Sequence, residues 1–120
     1  MPEYTTLAER YLEIWNATDA GTRRALIERL FTEDATYTDP LGSVRGWDGV
    51  DTFVAGAQEQ FAGLTFSLGG AVDGHHDTAR FTWHLGQDGA EPVVIGFDVI
   101  VAEGEDRIGK VYGFLDKVPA

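Results

Sequence analysis

Residues 30–46 read LFTEDATYTDPLGSVRG, and the fold turns on how this stretch divides. Leu30 and Phe31 close an apolar helix face, and Thr32-Glu33-Asp34 breaks the helix. Ala35, Tyr37 and Asp39 then alternate with Thr36 and Thr38, the two-residue spacing of a strand. Pro40 ends that strand and Gly42-Ser43 turns the chain. Asp39 shares a strand face with Tyr37, and the following proline holds it extended. Two readings of Asp39 stay open here. It is either a turn former ahead of Pro-Leu-Gly or a carboxylate set for chemistry into a strand that walls the core.

Upstream, Tyr4, Leu7, Ala8, Tyr11, Leu12 and Trp15 recur every three or four residues, which predicts an amphipathic helix with Tyr11 facing inward. Thr5 or Thr6 is placed to cap it, with Glu9 as the capping-box partner of Thr6. Asn16-Ala17-Thr18-Asp19 ends it, and a second short helix runs from about Thr22 to Leu30. Downstream, Trp47, Val50, Val54, Ala57 and Phe61 mark a third helix, with Phe53 on its apolar side and Ala62-Gly63 as its stop. Strand patterns follow. Leu64 to Val72 reads as one strand bent at Gly69-Gly70, and Asp73 to Asp77 as a turn. Phe81, Trp83 and Leu85 share one face of the next strand. A long strand runs from Pro92 to Ala102, and a last one from Arg107 to Leu115. Helices first and a meander after them predict an α+β fold, three helices covering one face of a bent, mainly antiparallel sheet around an internal pocket.

The chain has 120 residues, 43% of them hydrophobic and 12% aromatic, which predicts one globular domain over 1–120. Nine basic residues against twenty acidic ones leave a formal charge of −11, which argues against nucleic acid and anionic membranes as partners. The absence of cysteine excludes disulfides and thiol chemistry. With no signal-like leader and no apolar run of membrane-spanning length, a cytoplasmic location is expected.

Asp98 is the second anomaly, a carboxylate in the middle of VVIGFDVIVA. An isolated charge buried there is very costly, so Asp98 is paired, solvated or protonated. Its face carries Val94, Gly96, Ile100 and Ala102, mostly small residues that suit a cavity wall; an edge or salt-bridged position is the alternative. The opposite face, Val93, Ile95, Phe97, Val99 and Val101, is apolar too. Three helices cover only one face, so a homodimer is expected to cover the other.

Three blocks carry a family resemblance: RYLEIWNATD with Tyr11, LFTEDATYTDPLGS with Asp39, and GFDVIVAEGEDRIGKV with Asp98. The chain resembles the NTF2-like (SnoaL-like) superfamily of cone-shaped folds, and is most similar to bacterial Δ5-3-ketosteroid isomerase. That resemblance implies an enolate mechanism without cofactor or metal, on a small apolar ketone or a polyketide- or steroid-like ligand. Asp39 would be the base, Tyr11 an oxyanion donor, and Asp98 a second donor, neutral at pH 7. Trp15, Tyr37, Phe53, Phe61, Trp83 and Leu115 are expected to line the hydrophobic pocket. The superfamily also implies alternatives: a SnoaL-like polyketide cyclase, an epoxide-opening or dehydrating enzyme, or a non-catalytic binding domain. Other residues carry less. His75-His76 beside Asp73 and Asp77 suggests a metal, but adjacent side chains in an exposed turn project apart; His84 points away from the apolar face by strand parity, with a general base of a cyclase-like variant as its alternative; Arg45 and Arg80 read as surface or salt-bridge residues.

Overall fold

The computed structural model describes residues 3–119. Helix α1 spans Tyr4–Asn16 and buries Leu7, Ala8, Tyr11, Leu12, Ile14 and Trp15, the face its periodicity marks. Its N-cap is Glu3, with no side-chain cap, so neither Thr5 nor Thr6 caps it; both already lie inside the helix. Helix α2 spans Ala20–Leu30 and begins on Asp19, whose carboxylate accepts from the Thr22 amide. Asp19 therefore opens the second helix as well as following the first.

Strand β1, Phe31–Asp39, starts directly after α2. The expected break at Thr32-Glu33-Asp34 is a bulge inside this strand: Phe31 pairs with Ile108 and Thr36 with Lys110, so the register against the last strand shifts between them. The turn at Gly42-Ser43 is larger than the sequence suggests, because Gly42–Arg45 forms strand β2, antiparallel to β1 with Asp39 opposite Gly42. Helix α3, Gly46–Gln60, follows at once. Its first residue, Gly46, has φ +75°, a conformation glycine adopts without steric cost.

Of the expected strand from Leu64 to Val72 only Thr65–Leu68 is strand, β3; a second short strand, β4 at Asp73–His75, occupies part of the predicted Asp73–Asp77 turn. The Gly69 amide bonds to the Thr82 carbonyl, and a Cβ at Gly69 would stand 2.6 Å from His84 Nε2. The chain passes beside the His84 and Thr82 side chains there and then leaves the ladder. Strands β5 (Thr78–Gly86), β6 (Val94–Glu103) and β7 (Arg107–Lys117) form the antiparallel centre.

The sheet order is β2-β1-β7-β6-β5-β3, with β4 also on β5. Among the described residues only β1 and β7 pair in parallel. The mixed sheet curls without closing, and the three helices fill its concave side. Strand β6 shows the two faces: Val94, Gly96, Asp98, Ile100 and Ala102 are buried, while Ile95, Phe97, Val99 and Val101 are half-buried. On the convex side the Phe97 and Phe114 rings stack at 4.9 Å, and Phe114 is 50% exposed. None of the described helices is long and apolar enough to cross a membrane.

Candidate active site

The concave side encloses a cavity of about 910 Å³. Helix α1 brings Tyr11 to its inner end, packed among Trp15, Phe31 and Phe81 at centroid distances of 6.1, 6.2 and 5.7 Å. Strand β6 brings Asp98, which is 3% exposed and lies opposite Phe81 on β5 and Gly113 on β7. The Tyr11 hydroxyl donates to Asp98 Oδ2 at 2.6 Å, and the Trp83 indole N–H donates to Oδ1 at 3.0 Å.

Asp39 reaches the same cavity from the end of β1. Its Oδ1 accepts from the Leu41 and Gly42 amides at 2.7 and 3.1 Å, and its Oδ2 from the Tyr37 hydroxyl at 2.7 Å. Asp39 forms the turn, and its side chain also lines the cavity. A Cβ at Gly113 would lie 2.9 Å from Asp98 Oδ1, 3.1 Å from Asp39 Cβ and 3.5 Å from the Tyr37 hydroxyl. A bare backbone at Gly113 lets the two acids approach one point.

Desolvation raises the Asp98 pKa to about 6, with the hydrogen bonds from Tyr11 and Trp83 pulling it down and the charge of Asp39 adding a smaller push up. Two donors, one on each oxygen, stabilise the anion against burial. Burial, then the Asp98 charge, pushes the Tyr11 hydroxyl well above the ordinary tyrosine value. Tyr37 is raised for the same two reasons and by its bond to Asp39.

All nine residues expected at the site line this one cavity: Tyr11, Trp15, Tyr37, Asp39, Phe53, Phe61, Trp83, Asp98 and Leu115. Trp15, Tyr37 and Phe53 form one aromatic wall, and Phe66 meets Trp83 at 5.4 Å. The sequence reading missed Gly49, Thr52 and Gly56 of α3, which also line it. Gly49 and Gly56 sit one turn either side of Phe53, so helical periodicity could have found them, whereas Thr52 is its immediate neighbour. His84 is not among the lining residues, and His75 and His76 are exposed. Among the described residues no three metal-ligating side chains cluster.

The SnoaL-like domain family matches residues 8–109. The chain belongs to the SnoaL-like family. A crystal structure of a candidate isomerase of that family from Agrobacterium tumefaciens is 37% identical, with a TM-score of 0.89 over 94% of this chain and 97% of the other. Two more distant structures share the fold. A candidate SnoaL-like polyketide cyclase from Jannaschia is 17% identical (TM-score 0.72, 97% and 89% covered). A candidate ketosteroid isomerase from Kribbella flavida is 18% identical (TM-score 0.69, 96% and 78% covered). No curated protein matches the chain in sequence. The SnoaL-like cone accounts for the parallel β1–β7 pairing that a simple meander omits.

Proposed function

We propose that this SnoaL-like protein is an enzyme that moves a proton at the carbon beside a carbonyl group of a small apolar ketone, through an enolate. The observation that carries this reading is the 2.6 Å Tyr11–Asp98 pair at the inner end of an apolar cavity that Asp39 also faces. Asp39 takes the proton from carbon, and Tyr11, with protonated Asp98 beside it, donates to the developing oxyanion. Desolvation already raises the proton affinity of Asp98, and an apolar ketone that displaces water from the cavity raises it further, so binding favours the protonated donor. Asp39 then returns its proton to another carbon, and the substrate leaves isomerised with no net change in protons or electrons. Incubation with 5-androstene-3,17-dione and simpler cyclic ketones in deuterated water is the test. Deuterium at the α-carbon, read by NMR, is expected; binding without exchange would leave a ligand carrier instead.

One observation favours a second assignment. Three donors already engage Asp39, while burial raises the Asp98 pKa to about 6. In that case Asp98 is the base, as a cyclase acting on a polyketide-like ketone could use it.

The reading also includes a second copy of the chain on the convex face, where Ile95, Phe97 and Val99 are half-buried and Tyr112 and Phe114 exposed. A dimer is expected by light scattering at micromolar concentration. Ile95→Lys should weaken it at least about a hundredfold, because it leaves an unpaired charge in an apolar interface. A wild-type monomer would refute the dimer.

A further inference from the structure

The sequence places Trp83 on the cavity wall; the structure gives it a second contact, with the acid itself. Trp83 lies opposite Gly96 in the β5–β6 register, and Asp98 is two residues further along the same face of β6. Any side chain at Gly96 would collide with the Trp83 ring and with the Phe114 carbonyl. The indole lies across that bare position, and its N–H reaches Asp98 Oδ1 at 3.0 Å. On the next strand Gly113 leaves room for the same oxygen. Two glycines thus flank the acid on one face, one seating the indole and the other the carboxyl.

As an anion, Asp98 accepts from Tyr11 on Oδ2 and from Trp83 on Oδ1. When it takes up a proton at either of these positions, that bond has to reverse. An indole N–H only donates and has no acceptor to offer, whereas a phenol does both. The reversal therefore falls on Tyr11. We propose that Trp83 is the positioning residue of Asp98: it keeps Oδ1 an acceptor, so the acid's proton resides on Oδ2 and is donated to Tyr11, leaving the Tyr11 proton to face the ligand. The family resemblance makes Asp98 a direct donor to the substrate; here it acts through Tyr11. This rests on the proton-transfer reading above and adds which atom holds the proton.

The titratable groups facing Asp98 are Tyr11 from α1 and Tyr37 and Asp39 from β1; β5 contributes Trp83 and Phe81, and β7 contributes Gly113. The test is an NMR titration of the whole protein without ligand, following the Asp98 carboxyl carbon and the Trp83 indole N–H together. Both signals are expected to move with one midpoint, near 6. In Trp83→Phe, which keeps a ring over Gly96 but loses the donor, the Asp98 midpoint should rise. A ring that only packs would leave it where it is. An indole signal flat through this pH range, or an unchanged Asp98 midpoint in Trp83→Phe, overturns the proposal. If Trp83→Phe does not fold, the wild-type titration decides alone. Neither readout needs turnover. A protein that exchanges no ketone proton yet shows both shifts keeps this arrangement and loses the catalytic reading, and the opposite result reverses that outcome.

Discussion

Asp39→Asn is expected to slow α-proton exchange on a bound ketone by roughly 10²–10⁴-fold, the usual contribution of a positioned general base. Ketone affinity should change little, since the amide keeps the size of the side chain and its oxygen can still accept from the Leu41 and Gly42 amides. Asp98→Asn is the paired experiment. An asparagine at this position accepts from Trp83 through its oxygen and donates to Tyr11 through its nitrogen, reproducing the protonated acid with no charge to lose. Its exchange rate should stay within about tenfold of wild type, a loss no larger than one ordinary hydrogen bond. Rates for the two variants in deuterated water decide the assignment. Collapse in Asp98→Asn with Asp39→Asn spared would exchange the roles of the two acids. Full activity in both would remove the carboxyls from the chemistry.

The second large effect is on folding. Asp98 has a folded pKa of about 6 against 3.8 for the free side chain, so the native state binds its proton more tightly than the unfolded chain. Stability from this group is complete below the unfolded value and is lost as pH rises through the folded one. A difference of that size corresponds to about 3 kcal/mol. Asp98→Asn removes this dependence. Urea melts of both proteins should therefore diverge between about pH 4 and pH 7.5, the variant gaining about 3 kcal/mol relative to wild type. Parallel curves would mean that Asp98 titrates in the folded protein as it does in water.

These expectations draw on features of unequal visibility in the sequence. The inward faces of α1 and α3 follow from apolar spacing, and the alternation along β6 puts Asp98 on the buried side of the sheet. Asp39 could be seen as unusual but not resolved between its two roles, because an aspartate before Pro-Leu-Gly makes the same turn in either case. Strand β2 was hidden because its four residues, Gly42 to Arg45, have no apolar alternation long enough to register. The split between β3 and β4 was hidden for a different reason. Gly69-Gly70 signals a departure from regular strand, but where the β3–β5 pairing stops is set by the neighbouring strand, which is a tertiary fact. Parity assigns Trp83 to the cavity face and can go no further. Its bond to Asp98 depends on the ring crossing Gly96, and the resulting pKa depends on two donors from different elements.

The sheet order has a consequence for how the chain assembles. Strand β7 is the last strand in the chain, yet it stands in the interior of the sheet, joining β2-β1 on one side to β6-β5-β3 on the other. Until residues 107–117 arrive, the sheet exists as two separate pieces, each with an open edge, and the parallel β1–β7 junction spans most of the described residues. Pairings of such long sequence separation are slow to form, because the loop must close before any contact rewards it. During synthesis Asp98 follows Asp39 by 59 residues, and the two stay in separate pieces of sheet until residues 107–117 follow in turn. The strand that unites them is also the one carrying Gly113, so the site and the sheet come into being in the same late step.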